Sequence, residues 1–179
     1  MSSKLAIFVG NDRGGYVGFP LWLGLSVAVL DQLTKLLVVS YGEVGWSITV
    51  LPGLFNLVHV RNYGAAWGIF SEHTWLLGVV SLVAYVLLVV FFRNLCDGQR
   101  FLRIVYGCVS GGIVGNMLDR FFRGSVVDFL DFHWGPHHFP AFNVADISIT
   151  CGVILLFLHT LFGFGKHKEP ISAEEAGEL

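Results

Sequence analysis

The sequence predicts an all-α polytopic membrane protein. Four transmembrane helices carry a small extracytoplasmic β-element and a short amphipathic helix, in a single membrane domain over 1–179. Three observations predict it. Hydrophobic residues make up 54% of the 179 residues and charged residues only 13%, against roughly 25% charged in an ordinary soluble domain. The mean hydropathy is +0.68. Four stretches match the roughly 20 apolar residues that a bilayer core requires. Together these exclude a disordered chain, a coiled coil and a water-soluble globule. The formal net charge of −2 offers no basic field for nucleic acid, which is not expected as a partner.

The first span covers about 19–40 and carries Asp31, Gln32 and Lys35 in otherwise apolar sequence. It is expected to be retained. The earlier run LAIFVG is too short for a signal-peptide core, and no small-residue cleavage site follows the longer one. From Ser47 to Asn62, β-branched residues mix with Pro52-Gly53, and Val58, Val60 and Asn62 alternate. That pattern predicts the β-element, followed by a short amphipathic helix near Ala65–Ser71. The second span, 74–92, contains no formal charge. The third, 101–118, has Arg103 near its start and Gly107, Gly111 and Gly115 four apart on one face. Such a stripe permits close helix packing. The connection 119–143 reads as a loop. The fourth span, 146–165, is charge-free from Ile147, and the acidic tail 166–179 is expected to be a disordered, solvated appendage. Cys96, Cys108 and Cys151 are an odd number in apolar surroundings, and read as small buried hydrophobes.

Four spans place both termini on one side. The termini and the Arg93–Arg103 connection hold Lys4, Arg13, Arg93, Arg100, Arg103, Lys166 and Lys168, whereas the other two connections hold Arg61, Arg120 and Arg123. The positive-inside rule then puts both termini in the cytoplasm and the segments 41–73 and 119–143 outside.

An ionisable residue within a span costs at least a few kcal/mol unless it is paired or hydrated, so each is a functional candidate. Asp31 and Lys35, four apart, share a helical face and can neutralise each other. Asn116, Asp119 and Arg120 also share a face, and Asp119 with Arg120 is either a structural pair or part of a site. Asp128 in SVVDFLDF and Asp146 in FNVAD have no lysine or arginine within four positions. Two carboxylates that meet at a dry boundary can share a proton, one acting as base and the other as acid. Spacing alone does not bring them together. Asp131 is expected in the loop, solvated at little cost. No G-x-S-x-G nucleophile motif is present. His133, His137 and His138 cluster beside Pro136 and Pro140 without a zinc-protease motif, so no metal is expected. A proton-coupled transporter using Asp31, Lys35 and Asp128 is the rival from another class, disfavoured because no inverted repeat is visible. A structural membrane scaffold is a second rival.

The set D-Q-L-T-K at 31–35, R-N-Y-G-A-A-W at 61–67, G-G-I-V-G-N-M-L-D-R at 111–120, V-V-D-F at 126–129 and F-N-V-A-D at 142–146 closely resembles lipoprotein signal peptidase, or signal peptidase II. The resemblance covers about residues 18–165. It implies a bacterial inner-membrane aspartyl endopeptidase without metal or cofactor. Such an enzyme cuts a diacylglyceryl prolipoprotein just before its lipidated cysteine, among membrane lipids, and is open to globomycin-type inhibitors. Asp128 and Asp146 match the family's catalytic aspartates. Asn62, Asn116, Arg120 and Asn143 match polar residues around its substrate site, and Asp119 matches a supporting acid. Asp31 and Lys35 match a structural polar pair. Gly64 and Ala65, in the loop motif, are expected against substrate, with the following helix as a lid. Trp67, Gly68 and the GPHH insert depart from the family pattern there.

Overall fold

The computed structural model describes residues 14–64, 73–96 and 99–162. Four helices dominate it: α1 (Gly14–Tyr41), α2 (Thr74–Cys96), α3 (Arg100–Phe122) and α4 (Val144–Phe162). Each is long and apolar enough to cross a membrane. They overlay the four expected spans; α1 starts earlier, at Gly14, and α2 runs on to Cys96. Two shifts at the other end of the bundle bear on the site. Helix α3 runs on to Phe122, and α4 starts at Val144, so Asp146 lies inside its first turn. The Ala65–Ser71 helix and the tail 166–179 fall outside the described residues.

Helix α3 is the hub and packs against α1, α2 and α4. Its glycine stripe is the reason it can sit so close to α1. A Cβ on Gly107 would lie 2.9 Å from the Pro20 carbonyl oxygen, and one on Gly111 would collide with the Gly24 carbonyl. At Gly115 it would stand 2.5 Å from Asp31 Oδ2, in the space that this carboxylate occupies. Gly112 does the same for α4, where a Cβ would meet the Ala145 carbonyl at 2.6 Å. The outer faces of α1, α2 and α4 expose Leu25, Val29, Val83, Val90, Val153 and Phe157. Contiguous apolar surface on that scale suits hydrocarbon rather than water. Of the cysteines, only Cys96 is fully buried; Cys151 is exposed on α4, contrary to the expectation for it.

A four-stranded antiparallel sheet caps the end where α1 and α3 finish and α2 and α4 begin. Its order is β1 (Ser47–Leu51), β2 (Phe55–Asn62), β3 (Val126–Trp134) and β4 (His137–His138). The expected β-element is the β1–β2 hairpin, which turns through Gly53 at φ +77°. The loop reading of 119–143 is corrected: β3 is a central strand. Val126, Val127, Asp128 and Phe129 are all buried, so the alternation that marks a half-exposed strand is missing from the sequence there. Val127 and Phe129 pack on Val38 of α1, with Trp46, Leu57, Leu130 and Val144 around them, and this apolar cluster joins sheet to bundle.

Candidate active site

Beneath the sheet, α1 and α3 bury a charged network. Lys35 Nζ donates to Asp31 Oδ2 at 2.8 Å, Asp119 Oδ2 at 3.0 Å and Asn116 Oδ1 at 2.9 Å. These contacts occupy all three ammonium donors. Asp31 Oδ1 accepts the Ala145 amide at 2.9 Å, which pins the first turn of α4 to α1. Asp119 Oδ2 accepts the Val127 amide at 3.1 Å and so ties α3 to β3 beside Asp128. Its Oδ1 takes Gln32 Nε2 at 3.1 Å and Arg123 Nη1. The expected Asp119–Arg120 pair is therefore replaced by Asp119 with Lys35 and Arg123. Consecutive helical residues diverge, whereas residues four apart share a face.

Asp128 and Asp146 reach the same place from different elements. In the register of β2 with β3, Val60 pairs with Asp128 and Asn62 with Val126. Asn62 Nδ2 there donates to Asp128 Oδ2 at 3.0 Å, while Asn62 Oδ1 accepts the Gly64 amide at 3.0 Å. On the other side, Phe142 exchanges backbone hydrogen bonds with Leu130 of β3. That delivers Asn143, fully buried, to the start of α4. Asn143 and Asp146 form a reciprocal cap. Asn143 Oδ1 accepts the Asp146 amide at 2.9 Å, and Asp146 Oδ2 accepts the Asn143 amide at 3.2 Å. Asn143 Nδ2 then donates to Asp128 Oδ1 at 2.7 Å and lies 3.2 Å from Asn116 Oδ1. Asn116 Nδ2 completes the ring by donating to Asp146 Oδ1 at 2.8 Å. One asparagine thus grips both carboxylates, and two more flank them.

No cation touches either acid of this pair among the described residues. Burial, and next the charge of Asp146, push the Asp128 carboxyl up to about 7; the amides of Asn62 and Asn143 and the more distant Lys35 pull the other way. A proton is therefore held there near neutral pH. Arg120, half-buried, donates from Nη1 to the Asn116 carbonyl at 3.4 Å, and its Nε has no hydrogen-bond partner among the described residues.

The remaining expectations divide. Asn62, Asn116 and Asn143 surround the two aspartates, and Asp31, Lys35 and Asp119 form the network below. Gly64 stands at the rim, its amide held by Asn62, and Ala65 lies outside the described residues. Asp131 is corrected: it is buried in β3, not solvated in a loop. Its Oδ2 takes Asn56 Nδ2 at 2.9 Å and its Oδ1 lies 2.8 Å from His138 Nδ1. Burial raises its carboxyl, but Asn56, His138 and then His133 together bring it below the usual value. The sequence assigns no site role to Gln32, present there only as a polar residue of the first span, or to Arg123, counted only among the basic residues. The i, i+4 spacing of Asp119 and Arg123 was the available signal.

A family model described as signal peptidase (SPase) II matches residues 23–162. The chain is 42% identical over 147 residues to a lipoprotein signal peptidase of Bacillus velezensis, covering 82% of this chain and 96% of that one. It is 43% identical over 154 residues to a lipoprotein signal peptidase of Haemophilus ducreyi, covering 83% and 94%. Among solved structures, a bacterial membrane enzyme determined by the in meso method at 2.3 Å superposes with a TM-score of 0.78. The identity is 32%, over 88% of this chain and 96% of that one.

Proposed function

The chain belongs to the signal peptidase II family, and from that premise we propose that Asp128 and Asp146 are the acid–base pair of an aspartic endopeptidase. Its substrates are prolipoproteins, whose signal peptides it removes. Cleavage falls just before a diacylglyceryl cysteine, in the outer leaflet of a bacterial inner membrane with both termini cytoplasmic. The basic residues of the sequence, seven on the terminal side and three on the other, support that orientation.

The observation that carries the reading is the double grip of Asn143, on Asp128 through its side chain and on Asp146 through its backbone. Two carboxylates held by neutral amides, with no cation in contact, keep one proton between them and can pass it on. The ionised member takes a proton from water as that water attacks the scissile carbonyl, and the protonated member donates to the carbonyl oxygen. As the C–N bond of the resulting diol breaks, the amine leaves with the proton first taken from water. A diol hydroxyl returns its proton to the other carboxylate as the carbonyl re-forms, so the pair ends with its single proton. No covalent enzyme intermediate is required.

Signal peptide and diacylglyceryl chains are both lipid-soluble, so they approach sideways between helices. The scissile segment must unwind to be cut, and its freed backbone groups find no partners in lipid. Asn62, Asn116 and Arg120 stand where they can supply them. Globomycin-type inhibitors are expected in the same position.

Purified protein in detergent, mixed with a diacylglyceryl prolipoprotein, tests this by gel shift. The precursor is expected to shorten, whereas the same precursor without its lipid stays intact. Equal cleavage of both would overturn the lipid requirement, and cleavage by the Asp128→Asn protein would overturn the assignment of the pair.

A further inference from the structure

Among the described residues Asp119 accepts from four groups, two at each oxygen. Of their side chains Lys35 is the one that also reaches the ring around the candidate acid–base pair, while the Val127 carbonyl lies 3.4 Å from Asn143 Nδ2. Arg123 approaches from the C-cap of α3, its side chain 24% exposed, and anchors Nη1 on both Asp119 Oδ1 and Gln32 Oε1, the latter at 2.8 Å. A cation at that end of the helix also suits the helix dipole.

The charges below the pair then balance, with Asp31 and Asp119 facing Lys35 and Arg123. Lys35 has one donor for each of Asp31, Asp119 and Asn116. Without Arg123, two buried carboxylates would share a single ammonium. Attraction between charges is strong in such a site, and the bond to the neutral Asn116 oxygen is the weakest of the three. Asn116 would lose the shorter and only charged of the two contacts on its oxygen, leaving Asn143 Nδ2 at 3.2 Å to hold it, and a reversed amide would set oxygen against carboxylate.

We propose that Arg123 is a positioning residue for the catalytic pair: by sharing the charge of Asp119 it leaves Lys35 free to hold Asn116, and so fixes the amide that Asn116 presents to Asp146. This rests on the assignment of Asp128 and Asp146 above. It adds a residue that touches neither of them.

The test is steady-state cleavage of a diacylglyceryl prolipoprotein by purified full-length variants, with thermal unfolding followed alongside. Arg123→Gln is expected to lower kcat about tenfold or more with KM within about twofold, and Arg123→Lys to recover most of the loss. In an Asn116→Ala background the same Arg123→Gln change should cost less than about twofold, because the path through Asn116 is already cut. Gln32→Glu, which keeps an oxygen for Arg123 but loses the amide donor to Asp119 and Gly115, and Gln32→Leu, which loses both, separate the two roles. Gln32→Leu should lower kcat about threefold at unchanged KM, with a loss that shrinks in the Asn116→Ala background, and this pair decides the matter if Arg123→Gln does not fold. Wild-type kcat in Arg123→Gln or Gln32→Leu would overturn the proposal. So would no recovery by lysine, or an undiminished loss in the Asn116→Ala background. Cleavage by Asp128→Asn in the same assay would instead overturn the catalytic assignment, whatever Arg123 does.

Discussion

Asp31 and Asp119 meet Lys35 and Arg123, while Asp128 and Asp146, in the same hydrogen-bonded assembly, meet the amides of Asn62, Asn116 and Asn143. The difference teaches what each pair is for. A buried carboxylate paired with a cation serves as a structural tie: Asp31 to the Ala145 amide of α4, Asp119 to the Val127 amide of β3. Neutral amides orient a carboxylate and favour its charge less than a touching cation does, so at Asp128 burial and the charge of Asp146 prevail and a proton stays available. Asn116 is the hinge of the comparison, since its oxygen faces Lys35 and its nitrogen faces Asp146.

The largest expected effect comes from breaking the amide-held side. Asp128→Asn and Asp146→Asn should each lower the rate of cleavage by about four orders of magnitude, while circular dichroism and substrate binding show a folded, competent protein. Breaking the charged side should do the reverse. Lys35→Met leaves two buried carboxylates without their ammonium, at a cost of about 3–5 kcal/mol, so Tm should collapse along with activity. Restoring neutrality with Asp31→Asn in the same chain should recover part of that Tm.

Much of this contrast was legible in the sequence, and the gaps have physical causes. The four spans follow from apolar runs that folding leaves nearly unchanged. The Asp31–Lys35 tie and the Gly107–Gly111–Gly115 contact follow from helical spacing alone. Strand β3 was hidden because its first four residues are buried on both faces, which erases the two-residue rhythm. The partners of Asp119 were hidden for another reason. Lys35 and Gln32 lie more than eighty positions away in the chain, and Arg120 is the adjacent cation in sequence, whereas the helix turns Arg123 onto the face of Asp119. The convergence of Asp128 and Asp146 required the Phe142–Leu130 bridge, a contact that no spacing rule supplies. The cation-free apolar surroundings of the two acids raise the idea of a shared site, and the family resemblance supplies the pairing.

Smaller effects sharpen the comparison by pH. The Asp128 carboxyl is raised by folding from 3.8 to about 7, so the native state holds a proton that the unfolded chain has released. Stability therefore falls as pH rises from about 4 to about 7. Asp128→Asn should unfold at a higher temperature than wild type at pH 7, and the gap should close near pH 4. Asp131 has the opposite sign. Its carboxyl is depressed by Asn56 and His138, so its contribution is present above the unfolded value and lost as pH falls through the folded one. Asp131→Asn should cost about 1 kcal/mol at pH 7, fading in acid. Its kcat should stay within about twofold of wild type, the smallest change of the series.

The most direct test of the contrast between the two pairs is difference infrared spectroscopy of the protonated carboxyl band, wild type against Asp128→Asn, from pH 5 to pH 9 in detergent. The wild type should show a protonated carboxyl at pH 6 that titrates away with a midpoint near 7, and the band should be missing from Asp128→Asn. An Asp119→Asn protein, folded, should keep it. No protonated carboxyl in the wild type at pH 6, or a band that survives in Asp128→Asn and vanishes in Asp119→Asn, would contradict the assignment of the mobile proton to the amide-held pair.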